Sequence, residues 1–313
     1  MKIRLGYACL PVTISETASH KITYTNYKRL GSSGNLKLDI VIKNNFESLK
    51  KILKYNIKND IYFFRMTSEL LPLFSHPDIN YDYFTNYKLY YEEIGNIIKE
   101  NKLRVDIHPS SYVVLNSIND SVVISTINIL KFYQKMYKYM KIDSKIVLHI
   151  GSKQGGKKES IKRFITNFNK LDDSLKKMIV LENDDKCFNM RNTLTLCEKL
   201  NIPMVLDYHH HKVYKNNEKI EDYILRIFNT WESTPKIHFS SPKDKKNKRS
   251  HHDYIDSDEF IDFIERIKFT NRDIDVMIEA KKKDEALFRL IRELKYKTDY
   301  KIEKNTIFLK NVK

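Results

Sequence analysis

Cysteine is nearly absent from this chain. The three present, Cys9, Cys187 and Cys197, are odd in number and show no CxxC spacing, which excludes a disulfide framework and fits a reducing interior. Glycine and proline are scarce as well, seven of each in 313 residues, and no Pro/Ser/Gly-rich linker divides the chain. One large domain is expected over residues 1–295, with a short basic tail at 296–313. No apolar run approaches the roughly 20 residues needed to cross a bilayer. The opening Met1-Lys2-Ile3-Arg4-Leu5 leads into no apolar signal core, so no secretory signal is expected. Acid is in short supply too: 56 Lys and Arg face 40 Asp and Glu, giving a formal net charge of +16. Such a surface attracts polyanions, nucleic acid first. Lys and Asn abound throughout, which AT-rich coding alone produces, so the charge does not decide the partner. Hydrophobic content of 41% excludes wholesale disorder.

What is present is a rhythm. Apolar strand-like runs at 3–9, 60–65, 103–108, 145–149, 178–182, 202–207, 236–239 and 274–279 alternate with helical spacing at 39–55, 83–100, 122–140, 161–171, 193–200, 220–230, 257–268 and 285–296. Asp120 or Ser121 is positioned to cap the third helix and Ser257 the seventh. A βα alternation implies a parallel sheet, and eight repeats predict an α/β chain folded as a single closed (β/α)8 TIM barrel.

Six of the strand-like runs end in chemistry. His108, His149, Glu182, Asp207, His238 and Glu279 stand at their ends, His210 lies just past one, and His251 lies in the loop after the seventh. A parallel barrel delivers all of these ends to one face, so the metal site is expected at the C-terminal mouth of the strands. Each residue alone has a duller explanation: a hydrogen-bonded structural histidine, a solvated His209-His210-His211 loop, or a Glu182 that caps the next helix. Jointly they are harder to dismiss, because unpaired carboxylates converging in one mouth repel each other and divalent cations resolve the conflict. Three carboxylates and five imidazoles exceed the needs of one ion. Two or three ions are therefore expected, in the arrangement used for phosphodiester hydrolysis. The O/N donor set without thiolate suits Mn²⁺, Zn²⁺ or Fe²⁺.

The motifs resemble the UV damage endonucleases, barrel enzymes related in fold to endonuclease IV. The matching stretches are Arg4-Leu5-Gly6-Tyr7, Phe64-Arg65 with Ser68, His108-Pro109-Ser110-Ser111-Tyr112, Leu181-Glu182-Asn183-Asp184-Asp185, Asp207-Tyr208-His209-His210, Lys236-Ile237-His238, His251-His252-Asp253-Tyr254 and Met277-Ile278-Glu279-Ala280-Lys281, in order over about residues 3–290. The resemblance implies a three-ion cluster, manganese first, with zinc, magnesium or iron as alternatives. It implies that His108, His149 and Glu182 hold one ion. Glu182 would bridge to a second, shared with Asp207, His238 and Glu279, and His210 and His251 would hold a third. Glu182, Glu279 and Lys236 are the implied catalytic groups, Lys236 matching a lysine that can be carboxylated. The implied reaction is hydrolysis of the phosphodiester immediately 5′ to a cyclobutane dimer or (6-4) photoproduct in double-stranded DNA, leaving 3′-hydroxyl and 5′-phosphate ends.

By the same resemblance Tyr7 lies near the lesion, and Ser111 and Tyr112 occupy the positions of a Gln-Tyr pair that probes the bases opposite it. Ser111 replaces the glutamine, and a hydroxyl cannot fill the same gap in the stack. A polar position after Tyr7 is replaced near Leu10-Pro11, so the lesion spectrum is expected to differ. Lys153, Lys157 and Lys158, the stretch 243–249, and Lys281 are expected on the rim, against phosphates. A cytoplasmic monomer is expected, at the nucleoid if the source is prokaryotic. The alternatives are an apurinic endonuclease, a metal-dependent sugar isomerase or epimerase of the same barrel group, and a DNA-binding protein with a purely structural cluster.

Overall fold

The computed structural model describes residues 1–310. The elements run β1 (Lys2–Ala8), α1 (Tyr24–Arg29), α2 (Gly34–Lys58), β2 (Phe63–Met66), α3 (Lys88–Glu100), β3 (Arg104–Ile107), α4 (Asp120–Met140), β4 (Lys145–His149), α5 (Lys157–Asn169), α6 (Asp173–Lys176), β5 (Ile179–Glu182), α7 (Met190–Leu200), β6 (Met204–Asp207), α8 (Tyr208–Val213), α9 (Ile224–Asn229), β7 (Lys236–Phe239), α10 (Ser257–Ile267), β8 (Ile274–Ile278), α11 (Lys283–Lys297), β9 (Lys301–Glu303) and β10 (Thr306–Phe308). Strands β1 to β8 pair in parallel, each with the next. β1 closes the ring by pairing with β8 along Ile3–Tyr7 and with β2 at Tyr7 and Ala8. The expected (β/α)8 barrel is therefore the fold. None of its helices is long and apolar enough to cross a membrane among the described residues.

Strand alternation sorts the side chains into two cores. Outward residues such as Leu5, Tyr7, Phe64, Ile107, Leu181, Leu206, Ile237 and Ile278 pack beneath the helices in one large apolar cluster. Inward residues form smaller groups. Val147, Val180 and Val205 meet Trp231 on one wall, and Ala8, Phe63 and Met277 meet on another. Gly6 is inward as well, and a Cβ there would lie 2.1 Å from the Phe63 carbonyl oxygen, so β1 and β2 close only because that position is bare. The floor of the interior is charged. Asp275 accepts from Arg4 Nε and Nη2 at 2.6 Å each and from Arg104 Nη1 at 2.6 Å.

Several local expectations give way to better partners. Asn119 caps α4 in place of the expected Asp120 or Ser121, and Asp256 caps α10 in place of Ser257, because their side chains reach the first free backbone amides. The stretch 220–230 breaks into a 3₁₀ turn and α9. Residues after Asp207, read as a possible solvated loop, form α8, with Asp207 as its cap. The expected tail is not an appendage. β9 and β10 form a hairpin whose β10 pairs antiparallel with Lys2–Arg4, the part of β1 that β2 does not reach, and Ile307 is buried there. The last three residues of that expected tail, 311–313, lie outside the described residues.

Replacing Asp275 by Ala strands two arginines whose side chains are only about a quarter exposed (24% and 21%). We expect a loss of about 3 kcal/mol in urea denaturation. A loss below about 1 kcal/mol would mean that solvent screens the floor as it does a surface pair.

Candidate metal centre

Register brings the strand ends to one level. His149 lies opposite Glu182 across β4 and β5, and Asp207 opposite His238 across β6 and β7. Two sets of ligand-type atoms converge there within 4.8 Å of one another: His108, His149 and Glu182, and Glu182, Asp207, His238 and Glu279. Glu182 belongs to both sets. Its Oε2 is 2.8 Å from His108 Nε2 and its Oε1 is 2.9 Å from His238 Nδ1. His210 and His251 belong to neither set and stand beside them, with rings 6.5 Å apart.

Four rings are oriented by the backbone. Nδ1 of His108, His149, His210 and His251 lies 3.1, 3.3, 2.9 and 2.7 Å from the carbonyl oxygens of Pro109, Glu182, Asn183 and Glu279 respectively. A carbonyl only accepts, so Nδ1 carries the proton and a neutral ring offers its Nε2 lone pair. For His108 that lone pair meets the Glu182 carboxylate, acceptor against acceptor, and only a proton or a cation between them relieves it. Asp207 shows the same readiness. One oxygen accepts the His210 backbone amide at 2.7 Å, while Oδ2 is buried without a hydrogen-bond partner.

Charge balance points the same way. Burial pushes the Glu182 carboxyl up, but His238, His149 and His108 outweigh it and hold it well below the ordinary range. Burial, with the charges of Glu182 and Glu279, holds the Asp207 carboxyl well above that range against the pull of His210. Burial lowers His238 to about 4, with Arg65 adding to it. Burial also opposes the charge on His210, yet Asp207 and Glu182 raise that ring to about 9. The Asp207–His210 pair thus keeps a proton beyond neutrality, because its buried carboxylate neighbours cannot all stay ionised without one. Carboxylates short of positive charge, an orphaned oxygen and outward-presented Nε2 atoms fit divalent ions.

Beneath this level lies a layer in which Lys236, an expected catalytic group, meets Arg65 and Asp106, two residues given no role from the sequence. Arg65 Nη1 is 2.7 Å from Glu279 Oε1, and Asp106 Oδ2 takes Lys236 Nζ at 2.5 Å. Lys236 therefore pairs with Asp106 below the cluster, its amine lowered to about 8 by burial against the pull of Asp106. The signal was available: Asp106 on β3 precedes His108, just past its end, by two positions, so period two puts both on the inner face. Asn183 was also missed. Its side chain exchanges two 2.9 Å hydrogen bonds with the Asp207 backbone, and its carbonyl faces His210.

The expected DNA-facing residues divide. Ser111 is exposed and Tyr112 stands 64% exposed. Lys153 and Lys281 are exposed, Lys281 being 4.0 Å from Asp253. Lys157 is engaged by Asn192 and Tyr214, and Arg249 by Asp185, so neither is a free rim cation. Tyr7 is a correction. It is fully buried, its hydroxyl donates to Asn56 and its ring packs on Phe64 beneath the helices. Strand parity explains this: Arg4, Gly6 and Ala8 take the inner face of β1, leaving Tyr7 the outer one.

The family model for UV-endonuclease UvdE matches residues 3–307. The chain belongs to the UvdE family. A UV DNA damage endonuclease from Bacillus cereus (strain B4264) is 37% identical over 301 residues, covering 94% of this chain and 95% of the relative. Among solved structures, SacUVDE superposes with a TM-score of 0.85 at 33% identity, covering 94% of this chain and 98% of that one. Endonuclease IV from Thermus thermophilus shares the fold alone, with a TM-score of 0.57 at 11% identity, covering 94% of this chain and 98% of that one. The UvdE family supplies the nuclease class, and the geometry of this chain supplies the candidate centre.

His210 is raised from an unfolded value of about 6.5 to about 9. Its contribution to the stability of the metal-free protein is complete below about pH 6.5 and is lost as pH rises through about 9. Asp207→Asn should bring that transition down, read by histidine proton NMR on chelator-treated protein. A transition that stays near 9 would assign the effect to Glu182 instead.

Proposed function

We propose that this chain is a divalent-metal-dependent UV DNA damage endonuclease. It would hydrolyse the phosphodiester immediately 5′ to a cyclobutane pyrimidine dimer or (6-4) photoproduct and leave 3′-hydroxyl and 5′-phosphate ends. The observation that carries the reading is Glu182, shared between two ligand sets in the mouth of a UvdE-family barrel. Two ions would share Glu182, and His210 with His251 would hold a third. The family resemblance makes manganese the first choice, with zinc, magnesium and iron behind it, and the O/N donor set accommodates each of them. Bound there, the ions would supply Lewis acidity at the scissile phosphate and a water nucleophile at neutral pH.

The chain's own groups do the rest. Backbone carbonyls fix the four histidine rings, so the donors are oriented before substrate arrives. Exposed Lys153 and Lys281 take the phosphates of the damaged strand. Tyr112 projects into solvent, where an aromatic ring can replace stacking lost at a distorted step. Ser111 beside it is too small to fill a second step, which favours a lesion spectrum distinct from that of relatives with a glutamine. Lys236 has a lowered amine pKa, which supports carboxylation as part of this reading. A sugar isomerase or epimerase has nothing in its favour beyond the barrel itself.

A duplex carrying one thymine dimer, incubated with the protein and Mn²⁺, should be nicked on the 5′ side of the dimer. Equal nicking of undamaged duplex, or cutting at abasic sites alone, would remove the UV-specific reading. Glu182→Gln should lower the rate by at least about 100-fold while far-UV circular dichroism is unchanged. Tyr112→Ala should weaken binding to the dimer duplex about tenfold and leave binding to intact duplex nearly unaffected. Equal loss on both would make Tyr112 a general contact.

A further inference from the structure

Arg65 comes from the inner face of β2, where it lies opposite Ala8 and Asp106 in register, and it is 6% exposed. A guanidinium keeps its charge at any pH a protein survives, so this is a permanent buried cation. Its Nη1 is 2.7 Å from Glu279 Oε1, its Nη2 is 2.8 Å from His238 Nε2, and its Nε is 3.6 Å from Asp106 Oδ1. Asp106 is already held by Lys236, so the Arg65 charge is directed mainly at Glu279.

The contact differs from a structural arginine pair in the same molecule. Arg4 meets Asp275 as a fork, two aligned bonds of 2.6 Å. Arg65 Nε and Glu279 Oε1, by contrast, have no aligned hydrogen bond despite their burial. What Arg65 supplies to Glu279 is charge rather than directional bonding. Glu279 and His238 are two of the four residues in the second ligand set.

We propose that Arg65 is the counter-ion of the metal-free centre: its guanidinium neutralises Glu279 and the carboxylates beside it, and so competes with divalent ions for them. Like charges held on the same carboxylates in a buried site repel strongly. Arg65 therefore stabilises the empty centre more than the loaded one. By linkage it weakens ion binding and keeps the second ion exchangeable. The inference rests on the metal reading given under Proposed function.

The test is Mn²⁺ titration of the chelator-stripped full chain, by calorimetry and by electron paramagnetic resonance of the free ion, with thermal melting alongside. Arg65→Gln should lower the melting temperature of the metal-free protein and tighten Mn²⁺ binding by at least about tenfold. Arg65→Lys keeps the charge and should bind within about threefold of the parent. Asp106→Asn removes a negative partner of the Arg65 charge and should move affinity the other way, to weaker binding. A purely structural Arg65 predicts that Arg65→Gln and Asp106→Asn both weaken binding, and that result overturns the proposal. Should Arg65→Gln fail to fold without metal, its recovery with Mn²⁺ supports the counter-ion role. Failure to recover, or an Asp106→Asn affinity equal to or above that of the parent, refutes it. A parent chain that binds no divalent ion would sink the metal reading and this inference together. Binding by the parent with no gain in Arg65→Gln would sink the inference alone.

Discussion

The mouth of this barrel depends on how one carboxylate is held. Glu182 ends β5 almost wholly buried, and desolvation alone would drive its charge off. It stays ionised because the imidazoles around it outweigh burial, His238 first, at 2.9 Å from one oxygen, then His149 and His108. Asp207, an equally buried strand end on the adjacent β6, is pushed the opposite way, because burial acts on it with His210 as its main offset and with the charges of Glu182 and Glu279 added. Two carboxylates in one mouth thus have their protonation preferences set apart by neighbours alone, the condition under which a cleft can hold cations and protons in different places.

This arrangement reaches down the axis. A barrel interior is normally filled by layers of branched apolar side chains, and here only part of it is apolar, at Val147, Val180 and Val205 on one wall and at Ala8, Phe63 and Met277 on another. The rest carries charge in tiers: Asp275 with Arg4 and Arg104 at the floor, then Lys236 with Asp106, then Arg65 beneath Glu279. Buried pairs of this kind add little to stability when intact and cost several kcal/mol when one member is lost. The interior therefore works as a platform that sets the potential under the mouth, at some sacrifice of stability.

Much of this was legible in the sequence. Eight apolar runs give the barrel, and the six of them that carry His, Glu or Asp at or next to their ends give the strand-end residues, because buried strands need apolar faces and only their ends open on the mouth. The less legible parts have their own causes. Asp106 sits inside an apolar run, where strand parity decides its direction, and Arg65 closes the run 60–65 with a guanidinium, which a search for metal-binding side chains passes over. Tyr7 fails by the same parity. α8 was hidden because Tyr208–Val213 carries three histidines and a lysine with no apolar helical spacing, while its start depends on Asp207, a residue whose other oxygen is buried without a hydrogen-bond partner. The hairpin β9–β10 needs a free edge on β1, and that exists only because β2 is short and pairs at Tyr7 and Ala8 alone. No local pattern encodes an edge left open elsewhere.

The orientation of the histidines ties these levels together. His149 leans on the carbonyl of Glu182, its own register partner, His210 on that of Asn183, and His251 on that of Glu279. Each ring is aimed by the peptide of another candidate ligand or of its immediate neighbour. For these three rings a displaced strand end would turn a ring belonging to a different segment, so their geometry follows barrel register, whereas His108 is aimed locally by Pro109. That leaves the loops free to vary. Ser111 in place of an expected glutamine, or Leu10-Pro11 after β1, can change what the mouth accepts without disturbing the rings behind it, because no carbonyl that aims a ring belongs to those positions.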